Sequence, residues 1–449
     1  MKGKKLPYAI ILPEMNPLSD GPSPGAFAPA PIESLVDRDN LPLYLALKEL
    51  ASERGLTVFL VGGPVRDWLL GIRSRDLDFV VEGDAAALAR TMADRVDGRV
   101  TSYSKFGTAT VALGSGHLDL VTARREVYPF PGSLPDVEPS NLADDLARRD
   151  FTINAMALHL EGGDPSPSPV DPLGGQEDLK LGRIRIIHSQ SFQHDPTRLF
   201  RALKYEQRLG FGLEEGTGKR FNAAVAGKYC STVSGDRIRR EIEKFLEEKD
   251  PAKPILRAFE TGLLASVFPA LVHGEHVGRL AAATRVGEFE VNDPLSWIVA
   301  LAYPLSTGEA EGLIGRLNMP GGWARAVREA VRLRHLEPAL NGPGMAASEL
   351  NRKLGDFDIR TVAVAARITG QPEVARNLER FLKEYGSARA VLNGNDLLEM
   401  GVPPGPAVGR ALASLRDLRI DRKINTEEEE REWVRGMVCS ENYWTPRAT

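Results

Sequence analysis

The spacing of apolar residues divides the chain into a β-rich part and a helical part. Residues 41–54 have helical spacing, as do residues 85–96. Four short runs have the alternation or β-branched content of strands, namely 57–61, 77–82, 108–113 and 117–123. Strands interleaved with helices predict a mixed α/β unit in the first part of the chain.

After about Arg183 the strand-like runs stop and helical spacing takes over, for example at 196–208, 236–248 and 395–400. We therefore expect an all-helical remainder. Thr426 and Glu429 have the spacing of an N-terminal capping box, which predicts a helix start there. The first 40 residues contain seven prolines and show neither a helical nor a strand period, which predicts an arm outside the core.

Composition excludes several classes of protein. The 449 residues are 42% hydrophobic and 26% charged, typical of a globular protein rather than a disordered or fibrous one. The longest mostly apolar stretch, 295–305, is 11 residues long, whereas a membrane-spanning helix needs ~20. Two cysteines, Cys230 and Cys439, cannot form a disulfide framework or a cysteine-rich zinc site. We expect a cytoplasmic protein.

The segment Leu60-Val-Gly-Gly-Pro-Val-Arg-Asp67, followed by Asp76-Leu-Asp78, carries the clearest chemistry. A strand leads into two glycines and a helix start, where backbone N–H groups can approach phosphates. Strand alternation places Asp76 and Asp78 on one face, and oxygen ligands of this kind suit two Mg²⁺ ions near substrate phosphates. Asp119, on another predicted strand, is a candidate third carboxylate. Paired metals of this type serve nucleotidyl transfer.

Four segments together resemble the class II tRNA nucleotidyltransferase and bacterial poly(A) polymerase family, a branch of the polymerase β-like nucleotidyltransferases. They are Gly62-Gly-Pro-Val-Arg-Asp67 with Asp76-Leu-Asp78, Arg148-Arg-Asp-Phe-Thr-Ile-Asn-Ala-Met-Ala157, Val170-Asp-Pro-Leu-Gly-Gly-Gln-Glu-Asp-Leu179 and His194-Asp-Pro-Thr-Arg-Leu-Phe-Arg-Ala-Leu-Lys204. Ser234-Gly-Asp-Arg-Ile-Arg-Arg-Glu241 matches more loosely, and the set spans about residues 56–248.

The resemblance implies an α+β fold in which a small mixed β-sheet nucleotidyltransferase head precedes an all-α neck, body and tail. The expected boundaries are a proline-rich arm at 1–40, the head at 41–182, the neck at 183–257, the body at 258–390 and the tail at 391–449. The implied partner is tRNA, gripped at the acceptor stem and elbow. Net charge is only −4, but 183–257 holds 16 Lys and Arg against 10 Asp and Glu, which suits contact with phosphates.

The resemblance also assigns the site. Asp76 and Asp78 would hold magnesium, with Asp119 as the further catalytic carboxylate. The expected nucleotide-binding residues are Gly62, Gly63, Arg66 and Asp67 around the triphosphate, Arg149, Asp150 and Asn154 at the sugar and phosphates, and Asp195, Arg198 and Arg201 on the following helix. The expected substrates are ATP and, in the alternative of full CCA addition, CTP.

Asp195 and Arg198 offer a physical route to base selection. They lie three residues apart on a predicted helix and so would share a face. Adenine and cytosine present an amino donor beside a ring-nitrogen acceptor, which an Asp acceptor and an Arg donor match. Guanine and uracil reverse that pattern and would leave the charges unpaired. His194 stands where many members of the family have an acidic residue, and its charge is expected to vary near neutral pH.

The expected reaction is Mg²⁺-dependent transfer of AMP from ATP to the 3′-hydroxyl of tRNA with release of pyrophosphate. The sequence of residues 124–135 and that of the segment beginning at Asp195 resemble the branch of the family that adds the terminal A. Full CCA addition and poly(A) synthesis are alternatives within the family. A non-catalytic RNA-binding protein is the alternative from another class, and the clustered carboxylates argue against it.

Overall fold

The computed structural model describes residues 32–74, 77–103, 107–160, 168–283, 293–384 and 390–439. The chain forms two compact units, Met1–Val233 and Ser234–Thr449. No helix within the described ranges is both long and apolar enough to cross a membrane.

The first unit is built on a small mixed sheet. Its strands are β1 (Val58–Val61), β2 (Asp78–Val81), β3 (Arg99–Tyr103), β4 (Thr108–Leu113), β5 (Gly116–Thr122), β6 (Arg124–Val127), β7 (Asp136–Pro139), β8 (Ala157–His159), β9 (Arg183–Ile184) and β10 (Gly212–Leu213). Six of them pair in the order β3-β4-β5-β2-β1-β8, with β2 and β5 parallel and the other pairs antiparallel. The strands β6 and β7 form a separate hairpin.

The helices of this unit cover the sheet and extend beyond it. They are α1 (Ile32–Leu35), α2 (Leu41–Arg54), α3 (Gly63–Leu69), α4 (Ala85–Arg95), α5 (Leu142–Ala147), α6 (Gly175–Lys180), α7 (Ser191–His194), α8 (Arg198–Leu209) and α9 (Glu215–Ala226). Buried apolar side chains of β1, β2, α5 and β8 form a common core that includes Phe59, Val80 and Leu146. This core fixes the end of β1, where the candidate site begins.

The described part of the second unit consists of helices without strands. They are α10 (Gly235–Leu246), α11 (Ala252–Glu260), α12 (Leu263–Val267), α13 (Glu275–Ala283), α14 (Pro294–Ala302), α15 (Thr307–Leu317), α16 (Gly321–Leu340), α17 (Ala347–Leu354), α18 (Ile359–Ile368), α19 (Pro372–Glu384), α20 (Gly394–Glu399), α21 (Pro406–Ile420) and α22 (Glu427–Val438). The capping box predicted at Thr426 and Glu429 is confirmed at the start of α22. The last three helices have a core of their own around Leu397, Leu415 and Val434.

The α+β fold class and the four predicted strands are confirmed, but the sequence pattern did not predict β3, β6, β7 or β8. The chain after Arg183 is not wholly helical, because β9 and β10 form a short parallel pair. Two-residue strands are too short to produce an alternation in sequence. Ile32 and Val36, which belong to the expected arm, are buried. The boundary at 233/234 falls inside the expected neck, and the five-part division stays a prediction.

Candidate active site

The glycine turn after β1 is tightly constrained. Gly62 has φ +76° and ψ −127°, a backbone conformation that residues with a side chain rarely adopt. Its N–H donates to the carbonyl of Met156 at 3.1 Å. A Cβ atom at this position would lie 2.6 Å from Nη1 of Arg149. Gly63 then opens α3 with Pro64 in its first turn, as the sequence predicted. The turn therefore brings the chain backbone directly against an arginine.

The sheet places two of the predicted carboxylates side by side. Asp78 is the first residue of β2, and its register partner on the parallel strand β5 is Asp119. Register partners in a sheet point to the same face and are about 4.8 Å apart across the strands. The N–H of Asp119 donates to the carbonyl of Leu77 at 2.9 Å, so the pairing begins one residue earlier. Thr110 on β4 donates its hydroxyl to Asp119 at 2.5 Å and orients that carboxylate.

Asp76, the other half of the predicted pair, lies outside the described residues. Within the described ranges, no three His, Cys, Asp or Glu side chains come close enough together to hold a metal ion. Asp78 and Asp119 nevertheless supply carboxylate oxygens, the ligand type that Mg²⁺ prefers. The donor chemistry of this face therefore fits magnesium.

A chain of charged hydrogen bonds joins the glycine turn to α8. Arg66 is 3% exposed, and its Nε and Nη2 donate to Asp67 at 2.9 and 2.7 Å. Its Nη1 donates to Oδ1 of Asn154 at 2.6 Å, and the amide of Asn154 donates to Asp150 at 3.0 Å. Arg201 completes the chain by donating its Nε to Asp150 at 2.6 Å. Five residues that were predicted from separate segments thus form one connected network.

Asp150 is the buried acid of this network. Burial alone would raise the pKa of its carboxyl group. The charge of Arg201, the amide of Asn154 and the charge of Arg198 outweigh burial and hold the pKa well below its ordinary value. Asp150 is therefore ionised at neutral pH, and its negative charge keeps Arg201 in place.

Two adjacent arginines share a second buried acid, Asp145. Asp145 on α5 is fully buried and accepts from Nε and Nη2 of Arg148 at 2.9 and 2.6 Å and from Nη2 of Arg149 at 2.9 Å. Among the residues that the structure describes, the Nε of Arg149 is buried and has no hydrogen-bond partner. A buried arginine N–H of this kind is available to a water molecule or to an anionic ligand.

The structure contradicts the helical placement of Asp195. Asp195 follows α7 with φ −133° and ψ 93°, and α8 begins only at Arg198. Its Oδ1 accepts from the N–H and the hydroxyl of Thr197 at 3.0 and 2.6 Å, which is the geometry of a turn. Pro196 explains the difference, because the residue before a proline is disfavoured in helical conformation. Asp195 and Arg198 therefore do not share a helix face.

Arg198 is positioned by contacts from other segments. It is 5% exposed, and its Nη1 donates to the hydroxyl of Ser191 at 2.7 Å. Its Nη2 donates to the carbonyl of Arg148 at 2.7 Å. Arg198 is thus hydrogen-bonded to the segment that also carries Arg149 and Asp150. It lies near Asp195 because a short turn connects the two residues.

His194 sits in an aromatic stack rather than in solvent. Its ring is stacked on Tyr128 with centroids 5.1 Å apart, and the ring of His188 lies 5.1 Å away on a tilt. Burial and the charge of Arg198 lower the pKa of His194. Both effects favour the neutral ring, and the expectation that its charge varies near neutral pH stays a prediction.

Sequence reasoning missed two residues of this site. Asp145 precedes Arg148 and Arg149 by three and four positions, and this spacing was a usable signal for ion pairs on one helix face. Tyr205 lies beneath the guanidinium of Arg66, with its ring centroid 5.1 Å from Cζ. That contact joins α3 to α8 across a long sequence separation, so no local pattern announces it.

His188 makes the stability of this unit depend on pH. Burial, with the charges of Arg198 and His194, lowers the pKa of His188 to about 4, whereas the unfolded value is about 6.5. Between these values the unfolded chain binds more protons than the folded one, so stability falls as the pH drops from 6.5 towards 4. We expect urea unfolding at pH 7, 6 and 5 to show a smaller loss of stability for His188→Gln than for the wild type. The exposed His117→Gln is the control, and equal losses in all three proteins would contradict this assignment.

Comparison with known protein families matches both the head and the region after it. Residues 58–185 match the family described as "Poly A polymerase head domain". Residues 210–273 match the family described as "Probable RNA and SrmB- binding site of polymerase A".

Individual relatives extend the likeness over most of the chain. The A-adding tRNA nucleotidyltransferase of Halalkalibacterium halodurans is 34% identical over 82% of this chain and 86% of its own length. That of Geobacter sulfurreducens is 32% identical over 88% of this chain but 46% of its own length, so the present chain spans about half of that relative. The structure of the Thermotoga maritima CCA-adding enzyme complexed with tRNA is 29% identical, with a TM-score of 0.74 over 91% of this chain and 97% of that one.

The first of these relatives is similar over 86% of its length, and the head-domain model covers the segments that carry Gly62, Asp78, Asp119 and Arg149. The chain therefore belongs to the tRNA nucleotidyltransferase and poly(A) polymerase family.

Proposed function

We propose that this protein adds the terminal A to the 3′ end of tRNA by transferring AMP from ATP and releasing pyrophosphate. The observation that carries the proposal is the pairing of Asp78 with Asp119 on parallel strands, beside a glycine turn backed by arginines. The names of the relatives from Halalkalibacterium and Geobacter support A addition. The match to the tRNA complex supports a tRNA substrate.

Asp76 and Asp78 are the proposed magnesium ligands, and Asp119 is the third catalytic carboxylate. Magnesium, when bound, would lower the pKa of the attacking 3′-hydroxyl and neutralise charge on the leaving pyrophosphate. The task of the chain is to hold the acidic oxygens on one face of the sheet. The register of β2 with β5 places Asp78 beside Asp119. The hydroxyl of Thr110 also holds the carboxylate of Asp119.

Gly62, Gly63, Arg66 and Asp67 are proposed to shape the triphosphate pocket, with Arg149 as its cation. Arg149 has an unpartnered buried Nε and lies against the glycine turn, where a larger residue would collide with it. Arg66 already donates hydrogen bonds to Asp67 and Asn154, so its proposed role is to hold those two side chains in place. Asp150 and Asn154 would then face the sugar and phosphates.

Asp195 and Arg198 are proposed to select the base, with Arg201 supporting them through Asp150. The argument for base selection does not need a shared helix face, because the acceptor Asp195 and the donor Arg198 are three residues apart on one turn. Arg198 is held by Ser191 and by the carbonyl of Arg148. A fixed guanidinium can discriminate between acceptor and donor edges, since a mismatched base would leave it unpaired.

Contact with tRNA is assigned to the basic neck at 183–257 and to the body and tail that follow. The excess of six positive charges in the neck suits the phosphate backbone, and recognition of a folded RNA by shape requires no reading of its sequence. Dependence of tRNA binding on salt concentration follows from this assignment.

Replacing Asp78 by Ala tests the metal assignment. Loss of a ligand at the reacting centre removes several kcal/mol of transition-state stabilisation, so we expect AMP incorporation into tRNA to fall by ~10³-fold or more. Binding of tRNA, measured by filter retention, should stay within about twofold of the wild type because the neck is untouched. Asp94→Ala, an exposed acid on α4, is the control and should retain full activity. Unchanged incorporation in Asp78→Ala would refute the assignment.

Replacing Asp145 by Asn tests whether the arginine pair needs its buried acid. The change removes the charge that holds Arg148 and Arg149, and hydrogen bonds to charged groups contribute ~1.5–3 kcal/mol, so the KM for ATP should rise ~10–100-fold. The matched control is Asp144→Asn, because Asp144 bonds to Ser140 and not to the arginines. Steady-state kinetics against ATP and thermal unfolding of both variants provide the measurement. Equal KM values in the two folded variants would show that Asp145 does not position the pocket.

Incubation of defined tRNAs distinguishes the members of the family. Transcripts that lack one, two or three terminal nucleotides are incubated with ATP alone, CTP alone or both. A addition predicts one AMP on the transcript lacking one nucleotide and no CMP on the others. CMP incorporation would instead establish full CCA addition, long tails on any RNA would establish a poly(A) polymerase, and no incorporation would favour a non-catalytic RNA-binding protein.

A further inference from the structure

Three cationic side chains surround one aromatic ring next to the buried network. The ring of Tyr205 on α8 is 7% exposed. The Cζ atoms of Arg66 and Arg201 lie 5.1 and 5.8 Å from its centroid, and Nζ of Lys204 lies 5.3 Å away. Arg66 and Lys204 are themselves almost fully buried. No role follows for Tyr205 from the family motifs quoted above.

An aromatic ring can hold such a cluster together. The face of the ring carries partial negative charge and attracts cations within about 6 Å, most strongly where water is excluded. The three cations repel one another, and this repulsion is strong at low dielectric. The ring lies among them and offsets part of that repulsion without adding a further carboxylate.

The ring is itself fixed in orientation. Phe151 meets it edge to face with centroids 5.9 Å apart. The hydroxyl of Tyr205 accepts from Nη2 of Arg201 at 3.3 Å, a long hydrogen bond. The face of the ring therefore contacts all three cations, whereas the hydroxyl contacts Arg201.

We infer that Tyr205 is a positioning residue of the nucleotide site, whose ring holds Arg66 and Arg201 in place before ATP binds. Arg66 holds Asn154, and Arg201 holds Asp150. Movement of either guanidinium would therefore shift the two side chains proposed to face the sugar and phosphates. The inference rests on the proposed function, since it assigns a role within that same site.

This role predicts an effect on substrate binding rather than on chemistry. Asn154 and Asp150 would contact the nucleotide in both the ground state and the transition state, so the KM for ATP should rise while kcat changes little. The KM for tRNA should stay constant, because its proposed binding surface lies elsewhere. A residue that merely stabilised the fold would not separate the two substrates in this way.

The experiment changes the electron density of the ring at position 205 while its shape stays nearly constant. Phenylalanine and its mono-, di- and trifluorinated analogues are placed at position 205 of the full-length protein. Fluorine withdraws electron density from the ring face and weakens its attraction for cations. We expect Tyr205→Phe to stay within about twofold of the wild-type KM for ATP, and the KM to climb stepwise to ~3–30-fold with three fluorines. Thermal unfolding of each protein identifies any variant that folds poorly.

The same fluorinated series at Phe221 is the control. Phe221 is a buried ring that packs edge to face on Phe192 in the same unit, and its series should leave the KM for ATP unchanged. A KM for ATP that does not change across the series at position 205 would overturn the inference. A Tyr205→Phe variant as impaired as the trifluorinated one would overturn it as well. If Asp78→Ala is inactive while the series at 205 is flat, the proposed function stands and only the role of Tyr205 falls.

Discussion

The buried guanidinium of Arg66 is the constraint on which the rest of the site depends. A charge at 3% exposure is tolerated only if it is paired and hydrogen-bonded, and Asp67 and Asn154 supply those contacts. Since Asn154 must also satisfy Asp150, and Asp150 must satisfy Arg201, one buried charge fixes the relative positions of β1, the turn at Thr152–Asn154 and α8. Networks of this type lose much of their stability when one member is removed, which favours a single arrangement.

Two different kinds of interaction build the two halves of the site. The acidic half is placed by the backbone, because sheet register alone brings Asp78 beside Asp119. The basic half is placed by side-chain hydrogen bonds that run through Asp145 and Asp150 to the arginines. The glycine turn lies where the two meet, and Gly62 leaves the space that Arg149 occupies. A nucleotide bound there would have metals on one side and fixed cations on the other, the arrangement that phosphoryl transfer requires.

The sequence was sufficient for features that depend on local periodicity. The strand that carries Asp119 alternates, and Thr426 and Glu429 have the spacing of their capping box. The strand that carries Asp78 was recognisable instead as a short apolar run, Phe79-Val-Val81. It failed at Asp195, where helical spacing on either side concealed the effect of Pro196 on the preceding residue. The strands β3, β6 and β7 escaped prediction because each contains only one aliphatic residue, and β8 escaped because it has only three residues. The packing of Arg66 on Tyr205 depends on tertiary structure and has no local signature.

The central claim is that the acidic face of the sheet and the arginine-backed glycine turn together hold one magnesium-bound nucleoside triphosphate. A crystal structure with magnesium and a non-hydrolysable ATP analogue tests it most directly. We expect metal density at the carboxylate of Asp78 and a phosphate group within hydrogen-bond distance of Nε of Arg149. A nucleotide bound elsewhere, with the Asp78 and Asp119 carboxylates free of metal and the Arg149 Nε still unpartnered, would contradict it.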